Sequence, residues 1–269
     1  IEKYPRAIIR ECEKEYDRRL QGELVPVIAK PVETMEEFLQ KTYAGRRDFF
    51  IKENVHVIDE NMEEEQLRRL LKCVMDHGEG KPIVMIRDFR RNHNQLKPWD
   101  FEFDTQQGNT YAVEVYESHS NTWYARHLQN MLNAWKVHEI QSVFWIRREN
   151  NKIALGPAGK TGMQVFTQRG GFALTDWSEK EWNSIQALIW MLNESAGGNL
   201  LYYDGEKDVA INPIKIEKWI AASGVLLELP VINTLLNQVS SHTPIDAAVI
   251  TETKESKENY LETAGYALG

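Results

Sequence analysis

Cysteine is scarce in this chain, with only Cys12 and Cys73 among 269 residues. Two such thiols make neither a disulfide framework nor a zinc-type ligand spacing, so a reducing, cytoplasmic setting is the default expectation. No apolar run approaches the roughly 18 residues of a membrane span, and the first residues lack a signal-peptide pattern, so no membrane partner is expected. There is no internal repeat and no low-complexity segment, which argues against solenoid and fibrous architectures. Neither a Ser-His-Asp order nor a Cys-His pairing is visible. Positive charge is also in deficit: a net charge of −8 speaks against polyanion binding by the whole surface, while leaving room for a local basic patch.

What is present is material for a packed interior. Apolar residues make up 42% of the chain, with eight tryptophans and ten tyrosines. That suffices for one large domain or two small ones. The most informative stretch is 99–148. Residues 99–105 (WDFEFDT) and 110–118 (TYAVEVYES) alternate with period two, the mark of strands with one buried face. A three-residue loop at Gln107-Gly108-Asn109 would bring the two apolar sets together and pair Glu102 with Glu114. Asp100, Glu102, Asp104 and Glu114 would then share one face, where like charges need compensation. Exposure to water is one solution and a hard divalent cation, Mg²⁺ or Mn²⁺, is the other. A helical run follows at 121–138 and an apolar strand at 142–148.

Elsewhere, 3–20 has helical periodicity, and 24–29 and 55–58 are short strand candidates. Thr34 opens a capping box whose helix is expected to stop before Gly45. Residues 63–76 form an amphipathic helix, and 82–86 is an apolar run suited to a strand buried on both faces. The linker 87–98 is the most basic polar loop, with Arg87, Arg90, Arg91 and Lys97 leading into the acidic strand. Gly159-Lys160-Thr161 has the end of a phosphate-binding motif, but Ala154 stands where that motif needs glycine. Residues 163–167 read as strand, so the segment is expected to be a hairpin turn. Ser178 caps a helix, a second hairpin turns at Asp204-Gly205, two short helices follow, and the end from Thr251 is expected to be loosely attached. A weak boundary near Asn150 divides a core with an N-terminal helical extension, 1–150, from a C-terminal α+β extension packed on it, 151–269.

The order over 63–148 (helix, three strands, helix, strand) resembles the PD-(D/E)xK, or restriction-endonuclease-like, nuclease superfamily. The resemblance covers about a third of the chain and implies a mixed α/β fold with a central mixed sheet. It also implies Asp104 or Asp100 as the first acid, Glu114 as the second and Glu64 or Glu65 as a helical acid, together holding Mg²⁺ or Mn²⁺. The family's lysine is replaced by Tyr116 in Glu114-Val115-Tyr116, with Lys136 on the next helix a possible substitute. Metal-assisted phosphodiester hydrolysis of DNA or RNA, with Asp104, Glu114 and Lys136 catalytic, is the activity implied. Without a substitute for the lysine, the implication is a relative that binds nucleic acid and does not cut. The basic loop beside the acids would meet the phosphate backbone. The acidic balance and Tyr116 also suit a non-enzymatic interaction or assembly scaffold, a homodimer or a binder of another protein. The aromatic set Trp123, Tyr124, Trp135 and Trp145 is expected to pack in the core, as is His127.

Overall fold

A computed structural model describes residues 33–53, 63–89, 98–116, 120–148 and 155–241. The helix expected at 3–20, the strands at 24–29 and 55–58, Arg90, Arg91, Lys97 and the C-terminal end lie outside them. The mixed α/β class is as expected. Along the chain come α1 (Met35–Glu53), α2 (Glu63–His77), β1 (Ile83–Asp88), β2 (Phe101–Thr105), β3 (Thr110–Val115), α3 (Asn121–Val137) and β4 (Ser142–Arg148). Then follow α4 (Pro157–Gln168), β5 (Phe172–Trp177), α5 (Glu179–Ala196), the ribbon β6 (Leu201–Tyr203) and β7 (Asp208–Ala210), α6 (Pro213–Ala222) and α7 (Pro230–Ser241). None of the described helices is long and apolar enough to cross a membrane.

Strands β1 to β5 form one sheet in chain order. The first two pairings are antiparallel and the last two parallel, so α3 and α4 serve as crossovers. Alternation along the strands divides the core in two. Phe101, Phe103, Tyr111, Val113, Val115, Phe144 and Ile146 face a large cluster shared with α1, α2, α5, α6 and α7. Ala112, Tyr116, Val143 and Trp145 face a second cluster with Leu128, Met131, Leu132 and Trp135 of α3 and Phe166 of α4.

Local chemistry accounts for most boundaries. Thr34 and Glu37 form the reciprocal capping box, the Glu37 amide donating to Thr34 Oγ1 (3.2 Å) and the Thr34 amide to Glu37 Oε2 (2.9 Å). Ser178 caps α5 through the Glu181 amide. Four expectations need correction. Helix α1 continues through Gly45, whose position is open to solvent on one side and tolerates a missing side chain. Among the described residues strand β1 is an edge strand with Val84 and Met85 half exposed, since no described strand covers its outer side. The 101–115 hairpin turns through Gln106-Gln107-Gly108, because Gly108 (φ +81°) rather than Asn109 takes the left-handed position. Glu102 therefore opposes Ala112, not Glu114, while the face of every side chain is unchanged. Finally, 157–168 is a helix and not the second arm of a hairpin. Pro157 sits at its first position, where a missing N–H costs nothing. Phe172–Trp177, not foreseen as a strand, pairs parallel with β4.

Candidate functional site

Three elements build the acidic face: edge strand β1, the β2–β3 hairpin, and α3 lying over β3 and β4. Register places Arg87 of β1 directly opposite Glu102 of β2. Its guanidinium grips Asp104 with two bonds, Nη1 to Oδ2 at 2.5 Å and Nη2 to Oδ1 at 2.6 Å, and its Nε reaches Glu102 Oε2 at 3.3 Å. The Asp104 bond is the main reason the Arg87 pKa is raised. The other Glu102 oxygen accepts from the indole of Trp99 at 2.9 Å, and Thr110 donates to Asp104 at 2.8 Å. Asp100 Oδ2 accepts the backbone N–H of Val115 at 2.8 Å.

Glu114 is buried and meets His127, from the second turn of α3, at 2.7 Å between Oε1 and Nε2. The oxygen lies off the ring N–H axis, so charge rather than alignment holds this pair. Burial pushes the His127 pKa down, but the Glu114 contact and charge, with a hydrogen bond to the Pro98 backbone, outweigh it and leave the imidazole raised above its ordinary value.

Each acidic side chain is thus engaged by the protein itself. Among the described residues no three His, Cys, Asp or Glu side chains come together as a metal-holding group. As arranged, the oxygens of Asp104, Glu102 and Glu114 do not fit a divalent ion unless Arg87 or His127 moves aside. Glu64 is buried in the first turn of α2, on the other face of the sheet, where its neighbour Glu63 pairs with Arg148. Lys136 is exposed in the last turn of α3. Nine residues past His127, it lies about 13 Å further along the helix axis and half a turn round. Tyr116 is buried and stacked on Trp145 (4.9 Å, 29°), with Tyr124 edge-on at 5.3 Å.

Beside this face runs a groove of about 650 Å³ along α3, lined by Pro98, Trp123, Arg126, Asn130, Asn133 and His138 among others. The four aromatics expected in the core part company here. Tyr124, Trp135 and Trp145 are buried, whereas Trp123 is 63% exposed with the Arg126 guanidinium 5.8 Å from its ring. No carboxylate lines the groove among the described residues. Helix α3 itself contains no aspartate or glutamate, in a chain of net charge −8.

The sequence reading assigned Arg87 to the basic loop, but it lies in β1 and turns inward to the acids. His127 as the partner of Glu114 was missed, and its helical spacing among aromatics gave no signal of that pairing. Cys73 offers no nucleophile: burial pushes its thiol up to about 12. Compared with known proteins, the chain matches no family model, no curated protein and no solved structure.

Proposed function

We propose that this chain is a nucleic-acid-binding protein, a non-cutting relative of the restriction-endonuclease-like enzymes. The observation that carries the reading is the occupation of the acidic face by the chain's own cations. Arg87 holds Asp104 at two points and reaches Glu102, and His127 holds Glu114. Where a hydrolytic site would need carboxylate oxygens open to a metal, these are neutralised within the fold. Tyr116, where the family has lysine, is packed against Trp145 and could not polarise a water as an ammonium would.

Binding falls to the adjoining groove. An exposed indole offers a surface for a base, worth about 1–3 kcal/mol per stacked base. Arg126 supplies a cation, and Asn130 and Asn133 supply amide donors and acceptors. Exposed bases of this kind belong to single strands, so single-stranded DNA or RNA is the proposed ligand.

Fluorescence anisotropy with labelled single-stranded oligonucleotides at low salt tests this, alongside incubation with Mg²⁺ or Mn²⁺ and gel analysis. Expected are binding without cleavage, and a loss of about tenfold or more in Trp123→Ala, the loss of one stacked base. Cleavage abolished by Glu114→Gln would refute the claim that the acids are neutralised. Absence of binding at low salt would remove the nucleic-acid reading and leave the fold as an interaction scaffold.

A further inference from the structure

The carboxyl ends of the parallel strands β3 and β4 hold a group that the acidic face and the α3 groove do not use. Arg147, at the end of β4, is 5% exposed. Its guanidinium carbon lies 5.3 Å from the ring of Tyr124 and 5.9 Å from that of Tyr116. It donates one hydrogen bond to the Tyr124 hydroxyl oxygen, but Nε and Nη2 are buried with none among the described residues. Three other arginines held in the fold meet carboxylates or carbonyls, although Nε and Nη2 of Arg148 likewise lack an aligned hydrogen bond. Arg148 pairs with Glu63, Arg87 with Asp104 and Glu102, and Arg169 donates to the carbonyls of Leu132 and Trp135. Among the described residues Arg147 has no carboxylate partner.

Two helices begin beside it. Tyr124 belongs to the first turn of α3, and a Cβ at Gly159, in the first turn of α4, would stand 3.8 Å from the Tyr124 ring. Both N-termini are therefore gathered at the end of the sheet where Arg147 lies. Helix α4 has Gly156 as its N-cap and no side chain capping it, so the amides of Ala158 and Gly159 have no acceptor within the helix. This is the segment carrying Gly159-Lys160-Thr161. It stands after a strand and at the start of a helix, with Lys160 exposed on the first turn.

We infer that the crevice between the N-termini of α3 and α4 binds a phosphate group, with Arg147 as its principal ligand and the first-turn amides of α4 completing it. Two converging helix starts supply oriented N–H donors and positive potential, and crevices at the carboxyl ends of parallel strands are where open α/β sheets bind ligands. A guanidinium fork with two donors lacking acceptors among the described residues matches phosphate oxygens. Burial without a counter-charge lowers the Arg147 pKa, a penalty that a bound anion removes. The inference goes beyond the nucleic-acid reading and stands without it, since the phosphate is that of a free nucleotide or of an oligonucleotide terminus.

The test is thermal unfolding of the full chain with inorganic phosphate against chloride at matched ionic strength, for wild type, Arg147→Met and Arg147→Lys. Phosphate is expected to raise the wild-type midpoint. Arg147→Met, which replaces an uncompensated buried cation by an apolar side chain, is expected to be no less stable without phosphate and to lose the response. Arg147→Lys, which keeps the charge but not the fork, is expected to retain a response with affinity reduced about ten- to a hundredfold. A wild-type midpoint indifferent to phosphate, or one raised equally in Arg147→Met, would overturn the site. Competition with a nucleoside 5′-monophosphate, and with oligonucleotides bearing a 5′-phosphate or a 5′-hydroxyl, separates the two sources. Phosphate binding without oligonucleotide binding would uphold this site and remove the function proposed above. Oligonucleotide binding through Trp123 with no phosphate response would do the reverse.

Discussion

Arg87 occupies the position that a cation would hold on the acidic face, and removing it tests that statement directly. Arg87→Met keeps the aliphatic stem and deletes the two bonds to Asp104 and the one to Glu102. The Glu102 side chain is 2% exposed, Asp104 23% and Arg87 36%. Breaking a fully buried pair costs about 3–5 kcal/mol and an exposed one about 0–1 kcal/mol. The mixed exposure places this loss at about 2–3 kcal/mol, most of it from Glu102 and Asp104 left facing each other without the guanidinium between them. For a protein of this size that is a fall of roughly 5–10 °C in the unfolding midpoint.

Urea denaturation gives the free energy, and a double-mutant cycle with Asp104→Asn gives the coupling, expected at about 1–2 kcal/mol. A second readout follows from the charge argument. Mn²⁺ should leave the wild-type midpoint unchanged and raise that of Arg87→Met, whose carboxylates no longer hold the guanidinium. A loss below about 1 kcal/mol with additive double-mutant energies would show a solvated surface contact, and the reading of Arg87 as an internal counter-ion would fail.

His127 gives a pH dependence whose sign is fixed. Its folded pKa is raised, so the Glu114 pair contributes stability that is full below the unfolded value of about 6.5 and declines as pH rises through the folded value. Denaturation midpoints measured from mildly acid to mildly alkaline pH should show that decline, and His127→Gln should remove it. Gly171→Ala should be destabilising by about 1–3 kcal/mol, because a Cβ there would stand 2.5 Å from the fully buried ring of Phe166. Paired with Phe166→Leu, the glycine substitution should lose much of its cost, which calorimetry would register.

Sequence alone determined the elements whose signals are local. Alternation at 101–105 and 110–115 specified two strands and which face of each is apolar, and Ser178, Thr34 and the stripe of α2 marked their helices. It also placed four acids on one face, because that depends only on the two-residue period of a strand. Local signals failed where two readings share a composition. The Gly-Pro-Ala-Gly-Lys-Thr-Gly segment suits a turn as well as a helix start, and packing of Phe166 against Trp135 and Trp145 decides for helix. A continuous apolar run fits a central or an edge strand, and only the strand order shows that β1 has no outer neighbour among the described residues.

Whether the acids are open or neutralised was beyond the sequence, because the answer lies in pairs distant along the chain. Arg87 reaches Asp104 across a strand register, and His127 reaches Glu114 because α3 is laid over β3. Arg147 and Arg148 are adjacent and alike in sequence, yet the pleat sends them to opposite faces of the sheet. One meets Glu63, and the other two tyrosines at a pair of helix starts. The type and position of each charge belong to the sequence. Its partner was decided only when the sheet and helices closed over it.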